Sequence, residues 1–213
     1  VNIHKQKTKN TNFLHLEFPS NRLGVFTELL ISGVYIETHL IGKSLYEFLK
    51  SELSLDDEFI NNKINTIFLN NMPIDDLFSA TIEHDAKIAL SSSMPGLVGA
   101  ILRKGSPYAM MREDITYKKV KQKNLKKGFI FLKLFNLLIN EIGKKVMEKG
   151  IFLKTSILAD YLMKKQILKY SSAILLNSRS TDPEEALKII NTTSPDDFIA
   201  FSVHFIPELS LKF

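Results

Sequence analysis

The sequence predicts an α+β protein: an N-terminal sheet with one crossing helix, followed by a C-terminal α+β half built around a long apolar helix. Three observations carry that reading. Short runs of alternating or continuous apolar residues recur with Gly, Pro, Asn and Ser between them, the pattern of strands and turns. Apolar faces at helical spacing interrupt those runs. Hydrophobic residues make up 45% of the 213 positions and spread along the whole length, enough to bury the core of one large domain or two small ones.

Taken in order, residues 12–18 and 31–41 alternate apolar positions with β-branched or aromatic side chains. They read as strands, punctuated by the turn-prone Pro19-Ser20-Asn21 and Ser32-Gly33. Gly42-Lys43-Ser44 opens a helix in which Ser44 caps the first free amides and Glu47, three positions on, completes a capping box. Its apolar face is Leu45, Phe48, Leu49 and Leu53. Residues 66–69 form a strand that runs into the turn Asn70-Asn71-Met72-Pro73. Residues 87–90 form another, which leaves the turn-like Glu83-His84-Asp85. Residues 12–96 are thus expected in one sheet, with the helix across it.

Farther on, residues 129–147 predict a long helix, apolar almost all round at its start (Phe129, Phe131, Leu132, Leu134, Phe135, Leu138, Ile142) and stopped by Gly150. A strand is expected at 151–154, a helix at 156–164 and a strand at 172–176. A helix at 183–190 follows, with Asp182 as its cap and Pro183 in the first turn, then a strand at 198–205. The expected organisation is a module at 11–105, a lysine-rich connector at 106–127 and an α+β region at 128–213 packed on the first.

Charge is uneven. Residues 118–154 hold eleven lysines against Glu141 and Glu148, 11 − 2 = +9, and with a net charge of +5 the remainder sums to 5 − 9 = −4. Such a run reads as a solvated linker and helix flank. It can steer acidic partners, but 118–127 holds no Phe, Tyr or Trp to stack on bases, so any nucleic-acid binding there is expected to be weak and non-specific.

The composition excludes several chemistries. With no cysteine there is no thiolate nucleophile, disulfide or Cys-type metal centre. The five histidines, at 4, 15, 39, 84 and 204, lack the spacing that places two ligands on one helix face, so no metal and no cofactor is expected. His15 and His39 read as strand-surface residues, and Glu83-His84-Asp85 as a solvated turn. Gly42-Lys43-Ser44 is not a phosphate loop, because the first glycine of that motif would fall on Glu37. Ser91-Ser92-Ser93 lacks a nucleophile elbow, and the adjacent carboxylates Asp75-Asp76 and Glu184-Glu185 diverge on any regular element. The longest apolar stretch, 128–142, carries Lys133, Asn136 and Asn140 and falls short of a membrane span. Without a visible signal segment the expectation is a soluble, cytoplasmic protein with no membrane partner.

Residues 94–112 are the most unusual segment. Gly96, Gly99, Arg103, Lys104, Tyr108 and Arg112 are the candidate anion-binding residues: glycines let backbone amides approach an anion, arginines grip carboxylate or phosphate, and a tyrosine offers a stacking face. The competing reading is a connector that buries Leu97, Val98, Ile101 and Leu102.

The order strand, strand, Gly-Lys-Ser-capped helix, short strand with an Asn-rich turn, and strand running into a small-residue loop resembles the β-grasp, or ubiquitin-like, family of small sulfur-carrier proteins. The resemblance rests on Ile67-Phe68-Leu69-Asn70-Asn71-Met72-Pro73-Ile74-Asp75-Asp76 and on the segment His84-Asp85-Ala86-Lys87-Ile88-Ala89-Leu90-Ser91-Ser92-Ser93-Met94-Pro95-Gly96. It spans residues 12–96. It implies a β-grasp fold and a non-catalytic binding or scaffold role with a protein partner, associated with sulfur or cofactor metabolism. Carrier chemistry needs a terminal glycine pair, and the corresponding place reads Met94-Pro95-Gly96-Leu97-Val98-Gly99-Ala100, so the resemblance implies the fold rather than that chemistry. The alternatives are an enzyme or small-anion binder using 94–112, and a weak non-specific nucleic-acid binder using the lysine run.

Overall fold

A computed structural model describes residues 11–108 and 127–207 and shows an α+β fold. The strands are β1 (Phe13–Pro19), β2 (Val34–Thr38), β3 (Thr66–Leu69), β4 (Met72–Pro73), β5 (Lys87–Ser91), β6 (Gly128–Phe135), β7 (Ile151–Lys154), β8 (Ala173–Leu176), β9 (Arg179–Ser180) and β10 (Phe198–Ile206). The α-helices are α1 (Thr27–Ser32), α2 (Leu45–Glu47), α3 (Asp57–Asn62), α4 (Gly96–Leu102), α5 (Leu138–Lys149), α6 (Thr155–Lys165) and α7 (Pro183–Thr192). The chain divides into two compact units: an inserted unit, Leu29–Gly143, and a terminal unit made of Val1–Glu28 with Lys144–Phe213.

Within the inserted unit the strand order is β4-β3-β5-β6-β2. β5 and β6 are parallel and the other pairs antiparallel. Alternation decides which side chains are buried: Ile67 and Leu69, Ile88 and Leu90, Ile130, Leu132 and Leu134, Val34 and Ile36 are all inaccessible or nearly so. The expected helix is present and capped as read. Ser44 Oγ accepts from the Glu47 amide at 3.1 Å and the Ser44 amide donates to Glu47 Oε2 at 3.0 Å. It continues as a π-turn, Phe48–Glu52, and Leu45, Phe48 and Leu49 are fully buried.

Three expectations are corrected. The helix expected over 129–147 is strand β6 followed by α5, with Asn136 in the left-handed region at φ 57° between them. The Phe- and Ile-rich start of that run is paired on both sides, to β5 and β2, and a strand flanked by partners reads as a continuous apolar run that periodicity alone cannot tell from a buried helix. The strand expected from residue 31 begins at Val34, because α1 runs to Ser32 and Gly33, at φ 107°, breaks it. Finally β1 does not join the strands that follow it: it pairs in parallel with β10 and antiparallel with β8.

Those pairings belong to the terminal unit, where the order is β7-β10-β1-β8-β9. Its core gathers Phe26 against Phe18, Phe201 and Phe205, with ring centroids 5.2–6.1 Å apart. Leu158, Tyr161 and Leu162 of α6 and Ala186 and Ile190 of α7 are buried, and the Tyr161 hydroxyl donates to the Val25 carbonyl. Asp182 caps α7 through the amides of Glu184 and Glu185 at 2.9 and 2.8 Å, as the sequence predicts. No helix among the described residues is long and apolar enough to cross a membrane.

Candidate functional site

The period of two that buries Ile67, Ile88 and Leu132 turns Phe68, Ala89 and Lys133 the other way, and the register sets those three in one row across β3, β5 and β6. Tyr35, Phe131 and Lys87 make the neighbouring row, and Ser91 with Phe135 the next on the other side. This face holds a groove of about 500 Å³. Phe68, Ala89, Met94, Pro95 and Phe135 form its apolar lining, and Asn71, Ser91, Ser93, Lys133 and Asn136 supply the polar groups. A smaller hollow of about 170 Å³ shares Phe68, Asn71, Ala89 and Lys133 and adds Lys87, Ile88 and Phe131.

Local chemistry fixes the walls. Asn70 and Asn71, at φ 51° and 67°, form a two-residue turn of the kind that matches hairpin twist, which is why asparagines stand there. Asn70 Oδ1 also accepts from the Lys87 amide at 2.9 Å. At the other end, Asn136 Nδ2 donates to Ser91 Oγ at 3.0 Å and to the Ser93 carbonyl, Ser91 Oγ donates to the same carbonyl at 3.0 Å, and the Leu137 amide donates to Ser92 Oγ at 3.3 Å. Gly99 of α4 lies so close to the Met94 carbonyl that a Cβ there would collide with it, so a glycine is required for the helix to approach this wall.

Among the described residues the groove carries charge of one sign. Lys87 and Lys133 are the only charged lining residues, and neither has a carboxylate within 4 Å among the described residues. Lys133 Nζ lies 5.8 Å from the centroid of the Phe131 ring, which itself packs on Tyr35 at 4.9 Å.

The sequence-derived anion candidates lie on and just after α4. Gly96 begins α4 at φ 72°, and Arg103 is exposed at its end. Lys104 is half-buried: its ammonium donates to the Ile60 carbonyl at 2.8 Å, one of the free carbonyls ending α3, and burial pushes it below the ordinary lysine range. Tyr108 is exposed and its amide donates to Ser106 Oγ at 3.1 Å. Arg112 lies outside the described residues. The structure therefore sets Gly99 against Met94 and aims the Lys104 ammonium at α3. The burial expected of Leu97 and Val98 in the connector reading is corrected, because they are 70% and 61% exposed; α4 buries its Gly99 face instead.

Two histidines have partners that the sequence does not announce. His84 sits 18% exposed rather than in a solvated turn. Its Nδ1 accepts from the Phe129 amide at 3.2 Å, and its Nε2 lies 3.5 Å from Asp85 Oδ2. His15 Nδ1 lies 2.7 Å from Ser202 Oγ across the β1–β10 pair. That is nucleophile-to-base distance, but His15 and Ser202 are register partners in the β1–β10 pair, so the contact reads as a cross-strand bond. No cluster of metal-ligating side chains occurs among the described residues.

The groove is hidden in the sequence because its apolar run predicts a helix for Phe131, Lys133 and Phe135, where positions two apart diverge. Read as a strand, the same residues share one face. Comparison with protein-family models, with curated proteins and with solved structures gives no match.

Proposed function

We propose that this chain is a non-catalytic binding module of the β-grasp, ubiquitin-like kind, with the groove on the β3-β5-β6 face as its recognition surface. The carrying observation is the groove itself. Its volume of about 500 Å³ falls within the range of small-ligand sites, and it combines an apolar floor with a few fixed polar groups. Among the described residues no carboxylate or imidazole lines it, and its Ser91 hydroxyl is spent on the Ser93 carbonyl, so the lining is suited to holding a ligand rather than to moving a proton. The β-grasp part of the reading is supported by a mixed sheet whose strand β2 leads into one capped, buried helix and whose β3 ends in an Asn-Asn turn. Concavity favours a small molecule or an inserted side chain over a flat protein surface.

The test uses a neutral apolar probe. Titrating n-octanol into the isotope-labelled full chain should move the amide signals of Phe68, Ala89, Ser91 and Phe135 together and saturate. Ala89→Trp, which fills the groove, should abolish the response while the far-ultraviolet circular dichroism stays unchanged. Absence of saturable shifts, or shifts centred elsewhere, would overturn the reading.

A further inference from the structure

We propose that the two adjoining hollows are one site for a small amphipathic carboxylate, its apolar body against Phe68, Ala89 and Phe135 and its carboxylate between the ammonium groups of Lys87 and Lys133. The inference rests on the binding-module reading and adds the chemical class of the ligand.

The argument starts from the register. Lys87 stands opposite Phe131 and Lys133 opposite Ala89, so the two lysines are diagonal neighbours on adjacent parallel strands and on one face. Two ammonium groups in that relation repel, and neither is neutralised by a carboxylate among the described residues. The smaller hollow, about 170 Å³, is the space they flank, and it opens on the same Phe68, Ala89 and Lys133 that line the larger one. Apolar surface and unneutralised positive charge therefore meet at a shared wall. A ligand with an apolar body and one anionic end satisfies both; a neutral ligand leaves the lysines uncompensated, and a cationic one adds a third like charge.

Among the described residues the cations that line the two hollows are these two ammonium groups, point charges that one small carboxylate set between them can share. A nucleic-acid strand fits less well. Such a strand needs a track of cations and free ring faces, whereas the Phe131 ring is packed on Tyr35 and covered by Gly33, where a Cβ would strike it.

The experiment compares octanoate, n-octanol, octylamine and an eight-nucleotide oligouridylate on the full chain, by calorimetry and amide shifts, with the wild type and with Lys87→Gln/Lys133→Gln. Octanoate should bind at least about tenfold more tightly than octanol, and octylamine more weakly than either. The advantage should shrink as salt rises. In the double variant octanoate and octanol should bind with equal affinity, and its thermal stability should match the wild type, which a folding defect would not allow. Equal affinity for octanoate and octanol in the wild type would overturn the carboxylate site while leaving the groove a binding surface. Failure of every eight-carbon probe would overturn both. Displacement of octanoate by the oligonucleotide at lower concentration would overturn the inference in favour of nucleic acid.

Discussion

At the scale of single residues, the partners that matter most are those that satisfy a buried backbone group. Phe129 is fully buried at the start of β6, and its amide ends on His84 Nδ1. Removing the imidazole leaves that donor without its acceptor in the interior, a loss of about 1–3 kcal/mol. His84→Ala should therefore lower the unfolding free energy obtained from urea denaturation by that amount, and an unchanged value would mean that water replaces the ring. Gly33 makes a sharper case. Its φ of 107° suits glycine alone, and an added Cβ would also strike the Phe131 ring beneath it. Gly33→Ala should cost more than about 1 kcal/mol and broaden the Phe131 ring signals in the same sample. Residue-scale features were legible where the partner is close in sequence: the capping residues Ser44 and Asp182 could be read from the next three positions. His84 with Phe129 and His15 with Ser202 could not, since the partners stand 45 and 187 positions apart and only the fold brings them together.

At the scale of elements, the short helix α2 depends on its cap more than on its length. Three residues of α-helix followed by a π-turn leave little internal hydrogen bonding, so the reciprocal Ser44–Glu47 bonds carry an unusual share of its definition. Ser44→Ala should cost about 1 kcal/mol in equilibrium denaturation. The same bonds, from the Ser44 amide first and its hydroxyl second, hold the Glu47 carboxyl below its ordinary value of 4.5. A carboxyl whose pKa is depressed by folding contributes stability that is present above the unfolded value and is lost as pH falls through the folded one. Glu47→Ala should thus be less stable than the wild type at neutral pH, with the difference narrowing toward pH 3; a constant difference would show that the carboxylate itself contributes nothing. Element type was legible wherever an amphipathic pattern or a cap stood alone, as in α7 and β10. It was not legible in residues 129–135. A strand paired on both edges and a buried helix present the same unbroken apolar run, and the arbiter, Asn136 in the left-handed conformation, is visible only in the backbone.

At the scale of the whole chain, both ends build one unit and the middle builds the other. β10 is paired to β1 on one side and to β7 on the other, so the terminal unit cannot complete its sheet until the last strand is available. The closures differ in size: His15 and Ser202 are 187 positions apart, whereas Ile67 and Leu90 are paired at 90 − 67 = 23. Loop-closure entropy puts the longer pairing at a disadvantage of about 2 kcal/mol relative to the shorter. Folding of Leu29–Gly143 reduces that disadvantage, because it replaces most of the intervening loop by a compact body. The expected order is therefore the inserted unit first and the β1–β10 pairing last. Pulse-labelled hydrogen exchange during refolding should show the amides of Ile67, Leu90 and Leu132 protected before those of Leu16 and Val203. The same logic predicts that a chain ending at Asp197 keeps the exchange protection of the inserted unit and loses that of β1 and β7. Simultaneous protection of all five amides, or survival of β1 protection without β10, would show that the terminal unit nucleates from local contacts of its own.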